Sequence, residues 1–107
     1  MVLYNLTVVV DYDHADRWLR WMKEKHMPDV LATGLFLEGK IARILAEEQG
    51  GVSYSIQYLA ADMESYNRYE REFAPALRKE HEDMFPGQVA AFRTLLDIIH
   101  HEGHEKG

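Results

Sequence analysis

Residues 89–99 read VAAFRTLLDII, and the fold turns on whether they form a strand or a helix. Phe92, Thr94, Leu96 and Ile98 alternate as strand residues do, yet the run admits a helix on periodicity alone. The preceding segments decide. Residues 2–10, VLYNLTVVV, are β-branched and aromatic and stop at Asp11-Tyr12-Asp13, so they read as a strand with Val2, Tyr4, Leu6, Val8 and Val10 on its core face. Asp13 caps an expected helix from about His14 to Met27, where Ala15, Trp18, Leu19, Met22 and His26 recur at helical spacing. Pro28 ends or kinks it, and residues 29–34 add a short helical turn with a glycine stop. Residues 35–48 read as a long second strand with a bulge or bend at Gly39. Gln49-Gly50-Gly51 is a hairpin turn, and residues 52–60, VSYSIQYLA, are a third strand. Asp62 opens a second helical region, divided by Pro75 into segments at about 63–73 and 76–84. Its buried stripe is expected to run from Met63 through Tyr66, Tyr69 (or Glu70) and Phe73 to Leu77, His81 and Met84. Phe85-Pro86-Gly87 then turns the chain.

With residues 89–99 as the fourth strand, the order is β-α-β-β-α-β. That is an α+β, ferredoxin-like fold, one antiparallel sheet with its helices on one face. Residues 1–99 form one domain and residues 100–107 a polar tail in this reading. The sheet face away from the helices is expected to carry Asn5, Thr7, Ser53, Ser55, Gln57 and Arg93 among Leu3, Val9, Leu59, Leu95 and Ile99. This mixture is too apolar for open solvent and too polar for a dry core. A homodimer with the two sheets facing each other, a dimeric α/β barrel, resolves it.

Composition narrows the function. Among 107 residues, 18 are acidic and 12 basic, a net charge of -6, which lacks the electrostatic footprint of a nucleic-acid binder. The absence of cysteine removes disulfides, thiolate chemistry and cysteine-ligated metals. The start of the chain lacks a signal-peptide pattern, and no apolar run approaches the ~20 residues of a spanning helix. A cytoplasmic protein without nucleic-acid or membrane partners is expected. Phosphate-cradling glycine loops, dinucleotide fingerprints and serine-nucleophile motifs are absent, so no cofactor is expected. The histidines of the tail, His100, His101 and His104, read as part of a solvated terminus, with adventitious metal binding as the alternative.

The stretch WLRWMKEKHMPDVLATGLF, preceded by YNLTVVV and followed by FAPALRKEHEDMFPGQVAAFRTLLDI, resembles the DUF4286 family of uncharacterised bacterial proteins. That resemblance spans nearly the whole chain and implies no catalytic residues. More distantly, the tryptophan-rich first helix ending in His26-Met27-Pro28 looks like that of the dimeric α/β-barrel superfamily. Its members include antibiotic-biosynthesis monooxygenase-like, EthD-like and muconolactone-isomerase-like proteins.

His26 is the candidate catalytic residue, since an imidazole at the barrel mouth can move a proton or orient a substrate near neutral pH. The alternative is a histidine at a helix end, bonded to a free carbonyl. Asn5, Gln57 and Arg93 are candidate ligand-binding residues, with the guanidinium forking onto a carboxylate or enolate. Otherwise they are a polar lining that pairs internally or with the dimer mate, Arg93 meeting Asp97 or an acid of the second strand. Trp21 and Tyr58 complete the candidate set as aromatic walls, against the alternative of core packing, which Trp18, Tyr54, Tyr66 and Tyr69 share. His81 with His26 and Glu80 lacks a metal-ligand spacing, so no metal is expected. Three readings follow. The chain is a dimeric barrel that binds a small acidic or aromatic molecule, a cofactor-independent monooxygenase or isomerase-like enzyme, or a structural or regulatory homodimer without ligand.

Overall fold

The computed structural model describes residues 1–46 and 50–104. Four strands, β1 (Val2–Val10), β2 (Glu38–Arg43), β3 (Val52–Ala60) and β4 (Val89–Asp97), form one antiparallel sheet in the order β2-β3-β1-β4. Between β1 and β2 run α1 (Ala15–Trp21), a wide π-helical turn (Met22–His26) and α2 (Met27–Ala32). Between β3 and β4 run α3 (Met63–Glu72) and α4 (Ala74–Met84). The fold is the ferredoxin-like one, and residues 89–97 are a strand.

The core lies between the sheet and the helices. Val2, Tyr4, Val8 and Val10 of β1 and Tyr54, Ile56, Tyr58 and Ala60 of β3 are buried, and they meet Ala15, Trp18, Met22 and Val30 from the first helical run. Alternation along β1 and β3 therefore reads out the faces as expected. Tyr4, Phe36, Tyr58 and Tyr69 form an aromatic cluster, with the Phe36 and Tyr69 rings 4.8 Å apart and nearly perpendicular. Met63 and Met84, expected in the buried stripe of α3 and α4, are exposed because they stand at the outer ends of those helices.

Pro28 does not stop the first helical run, which continues through Ala32. The Met27 amide bonds back to the Met22 carbonyl, five residues away, so the turn just before the proline is widened. Proline lacks an N–H and collides with the carbonyl four residues before it, and a wider turn relieves both problems. It also restores phase. A regular helix would carry His26 about 80° around from Trp18, whereas the extra residue in the wide turn returns it to the buried side. The helical run ends at Gly34, whose φ of 76° glycine adopts without strain.

Local expectations change at four further places. β4 ends at Asp97, so Ile98 and Ile99 lie beyond the strand and Ile99 is not part of the open sheet face. Asp11, not Asp13, caps the entry, and it caps a 3-10 turn at Tyr12–His14 that precedes α1. The second strand begins at Glu38 rather than Leu35 and ends at Arg43, while Glu47, Glu48 and Gln49 lie outside the described residues. Gly39 makes no bulge, because its register opposite Tyr58 is continuous with its neighbours. A Cβ there would lie 3.1 Å from the Tyr58 ring and 3.3 Å from Met27 Sδ, so the glycine lets a ring pack directly on backbone. Asp62 does cap α3, accepting from the Ser65 amide at 2.8 Å. No helix among the described residues is long and apolar enough to cross a membrane.

Candidate functional site

A cavity of about 320 Å³ lies between the helix layer and the β1–β4 side of the sheet. Its floor is formed by Tyr4, Leu6, Ile56 and Tyr58. Trp18, Met22 and His26 wall it from the first helical run, and Arg78 and His81 from α4. Ala91 and Arg93 of β4 line it on the remaining side and are exposed, so the cavity opens there. The helices do not reach β4, whose residues beyond Val89 are all exposed.

His26 and His81 face each other with ring centroids 5.9 Å apart, and Trp21 stacks on His26 at 5.1 Å. The Trp18 indole donates to His81 Nε2 at 2.9 Å. His26 Nδ1 is buried without a partner, and so is the Tyr58 hydroxyl. Burial, reinforced by His81 nearby, lowers the pKa of His26 to about 4, and burial lowers His81 against the opposing pull of Glu82. Both imidazoles are therefore neutral at pH 7. A base this weak takes a proton poorly at neutrality, so His26 is suited to orienting a bound group by hydrogen bonding.

Charge gathers at the other end. Arg78 Nη2 donates to the Tyr4 hydroxyl at 3.3 Å and to the Glu70 carboxylate. Burial opposes the Arg78 charge, but its hydrogen bonds to Glu70 and Tyr4 outweigh that and raise its pKa. Burial raises the pKa of Tyr4, and raises that of Tyr58 far more, so the Tyr58 phenol stays protonated. Among the described residues no group of three or more His, Asp or Glu side chains is placed to hold a metal ion.

The structure divides the residues singled out from sequence between two faces. His26, Tyr58 and Arg93 come together at the cavity, with Trp21 behind His26. Asn5 and Gln57 lie on the opposite, open face, because Asn5 pairs with Gln57 and Thr94. There they form a polar row: Gln57 Nε2 donates to Ser55 Oγ, Ser55 Oγ to Asn5 Oδ1 and Asn5 Nδ2 to Thr7 Oγ1. Arg93 and Leu95 were expected on that open face. The register sets Arg93 opposite Leu6 and Leu95 opposite Tyr4, which turns both toward the helices, while Phe92, Thr94 and Leu96 point away. Among the described residues Arg93 meets neither Asp97 nor an acid of the second strand. It lies 3.7 Å from Glu70 of α3. His26 sits inside the helical run rather than at its end, and among the described residues its Nδ1 has no hydrogen-bond partner. Sequence reasoning passed over Tyr4, Glu70 and Arg78. The signal for Arg78 was its spacing of three from His81, which puts both on one side of α4.

The family model of DUF4286, a domain of unknown function, matches residues 1–99. This chain belongs to the DUF4286 family. No match was found among curated protein sequences. Solved structures share the fold at low identity. HapK from Hahella chejuensis superposes with a TM-score of 0.73 at 10% identity, covering 100% of both chains. A candidate antibiotic biosynthesis monooxygenase from Deinococcus radiodurans gives 0.68 at 14% identity, covering 99% of this chain and 100% of its own. A dimeric ferredoxin-like protein from an uncultured marine organism gives 0.70 at 10% identity, covering 97% of this chain and 100% of its own. At these identities the likeness is one of fold, and the chemistry of this DUF4286 chain has to be argued from its own cavity.

Proposed function

We propose that this DUF4286 protein binds a small acidic or aromatic molecule between its sheet and its helices, and that it works as a homodimer of the dimeric α/β-barrel kind. The observation that carries the reading is the pair of buried, unpartnered polar atoms, His26 Nδ1 and the Tyr58 hydroxyl, on residues that wall one cavity. Folded proteins leave few such groups unsatisfied, and since both atoms are closed to water as the rings stand, a ligand supplies the missing partners once a ring turns its polar atom toward the cavity. The aromatic floor suits a planar body. A purely structural homodimer has no use for the cavity, and an acid–base enzyme would need a stronger base than His26. The open sheet face supports self-association, since Val9, Phe92 and Leu96 are exposed on it beside Leu3 and Leu59. Residues 1–99 make up the working unit in this reading.

The test is a titration with phenol followed by the fluorescence of Trp18, which borders the cavity, and of Trp21, which stacks behind His26. Saturable quenching that disappears when the cavity is filled by Ala91→Trp is expected. Quenching that never saturates, or that is indifferent to the filling substitution, would refute the reading.

A further inference from the structure

Glu70 of α3 sits between two arginines of the cavity wall. Arg78 of α4 donates to its Oε1, and Arg93 of β4 comes within 3.7 Å of its Oε2. The two guanidiniums thus approach one carboxylate from the helix layer and from the sheet edge. Glu70 itself does not line the cavity. Glu82 does line it, but it is exposed and pairs with neither arginine among the described residues. The group Arg78–Glu70–Arg93 therefore carries one net positive charge of its own, which the exposed Glu82 carboxylate on the same cavity offsets only through solvent.

We propose that Glu70 is a resident counter-ion and that the ligand is a small aromatic carboxylate, whose carboxylate engages Arg78 and Arg93 in its place. The inference rests on the ligand-binding role proposed above for the cavity. Three observations carry it. Both partners of Arg78 are held through Nη2, and each two-point edge of a guanidinium includes that nitrogen, paired with Nε or with Nη1, neither of which has a protein partner among the described residues. A ligand carboxylate that takes the place of Glu70 on Nη2 therefore completes a planar two-point contact that Glu70, bonded through Nη2 alone, does not make. Arg93 is half exposed, and at 3.7 Å it is beyond hydrogen-bond range of Glu70, so that contact is readily given up. Finally, Arg78 and His81 are one turn apart on α4, about 4.5 Å along its axis. That is the scale of one aromatic ring. A carboxylate held at Arg78 then places the ring over Tyr4 and Tyr58 and a distal hydroxyl toward His26.

Binding of para-hydroxybenzoate, its uncharged amide and phenol to the intact protein, read by tryptophan fluorescence, tests this. The acid should bind about tenfold more tightly than the amide, the usual scale of a charge-assisted bond. Glu70→Gln should tighten the acid severalfold and leave the amide unchanged, because it removes the competitor and not the cavity. Arg78→Gln should abolish the acid's advantage, and Arg93→Gln, on an exposed strand, should remove part of it. Unchanged amide binding shows in each variant that the cavity has survived. Equal binding of acid and amide by the wild-type protein, or weaker binding of the acid by Glu70→Gln, would overturn the anion assignment while the cavity reading stands. Failure of all three probes to bind would overturn both.

Discussion

The Trp18 indole N–H is bonded to His81 Nε2 across 2.9 Å. Because Nε2 accepts, the neutral His81 ring carries its proton on Nδ1, and protonating Nε2 destroys the bond. The bond joins the first helical run to α4 across the cavity wall, so the state of one proton reports on how the two helical runs meet.

Acid should therefore weaken the fold from within. His26 has a folded pKa of about 4 against 6.5 for the free side chain. The unfolded chain binds the proton first, so stability is complete above pH 6.5 and is lost as the pH falls toward 4. His81, also lowered, adds in the same direction. The loss should be on the order of 2 kcal/mol. Urea midpoints measured across this range should fall with acidification in the wild-type protein, and His26→Gln should flatten the dependence. A midpoint independent of pH over that interval would contradict the burial of His26.

Tyr58→Phe should separate stability from binding. The hydroxyl is buried without a partner, so its removal should leave the thermal midpoint unchanged or raise it by a degree or two. The same change should weaken phenol binding about threefold or more if the hydroxyl serves a ligand. A lowered midpoint with unaltered binding would mean that the hydroxyl is structural.

Gly39→Ala should destabilise the protein by roughly 1–2 kcal/mol. The added methyl would lie 3.1 Å from the Tyr58 ring, and the ring is held in turn by Tyr4 and Phe36. Denaturant unfolding would measure this. The double variant Gly39→Ala, Tyr58→Leu should recover part of the loss, which a purely conformational effect at residue 39 would not allow.

Self-association should depend on β4. Phe92 is 64% exposed and Leu96 46%, on the face that the helices leave bare. Light scattering at micromolar concentration should give a mass near twice 12.5 kDa. Phe92→Glu should return it to the single-chain value, because a buried unpaired carboxylate at an interface is costly. A wild-type protein already at the single-chain mass would remove the homodimer.

The strands of this fold were legible wherever one face was fully buried. Along β1 and β3 the alternation of Val2, Tyr4 and Val8, or of Tyr54, Ile56 and Tyr58, names the inner face without help from the rest of the chain. β4 is different. It is an edge strand that the helices do not cover, so neither Phe92 and Leu96 nor Arg93 and Leu95 are marked as inward by burial. Their faces are set by the register against β1, which the run itself does not encode. That single ambiguity split the expected site, putting Arg93 beside Asn5 and Gln57 when it belongs with His26 and Tyr58. Glu70 and Arg78 were missed for a related reason. A carboxylate and a guanidinium eight residues apart on successive helices carry no spacing signal, and only the angle between α3 and α4 brings them together.

The wide turn at Met22–His26 also changes which one-residue deletions the chain can survive. Losing a residue there would return the segment to regular winding with Trp18 and His26 still on the same side, at the expense of renewed crowding by Pro28. Losing a residue of β4 ahead of Arg93 would instead turn every later side chain of the strand over, and Arg93 would leave the cavity. Tolerance to change in length is thus unevenly distributed around this one cavity, with slack on the helical wall and none on the strand that forms its rim.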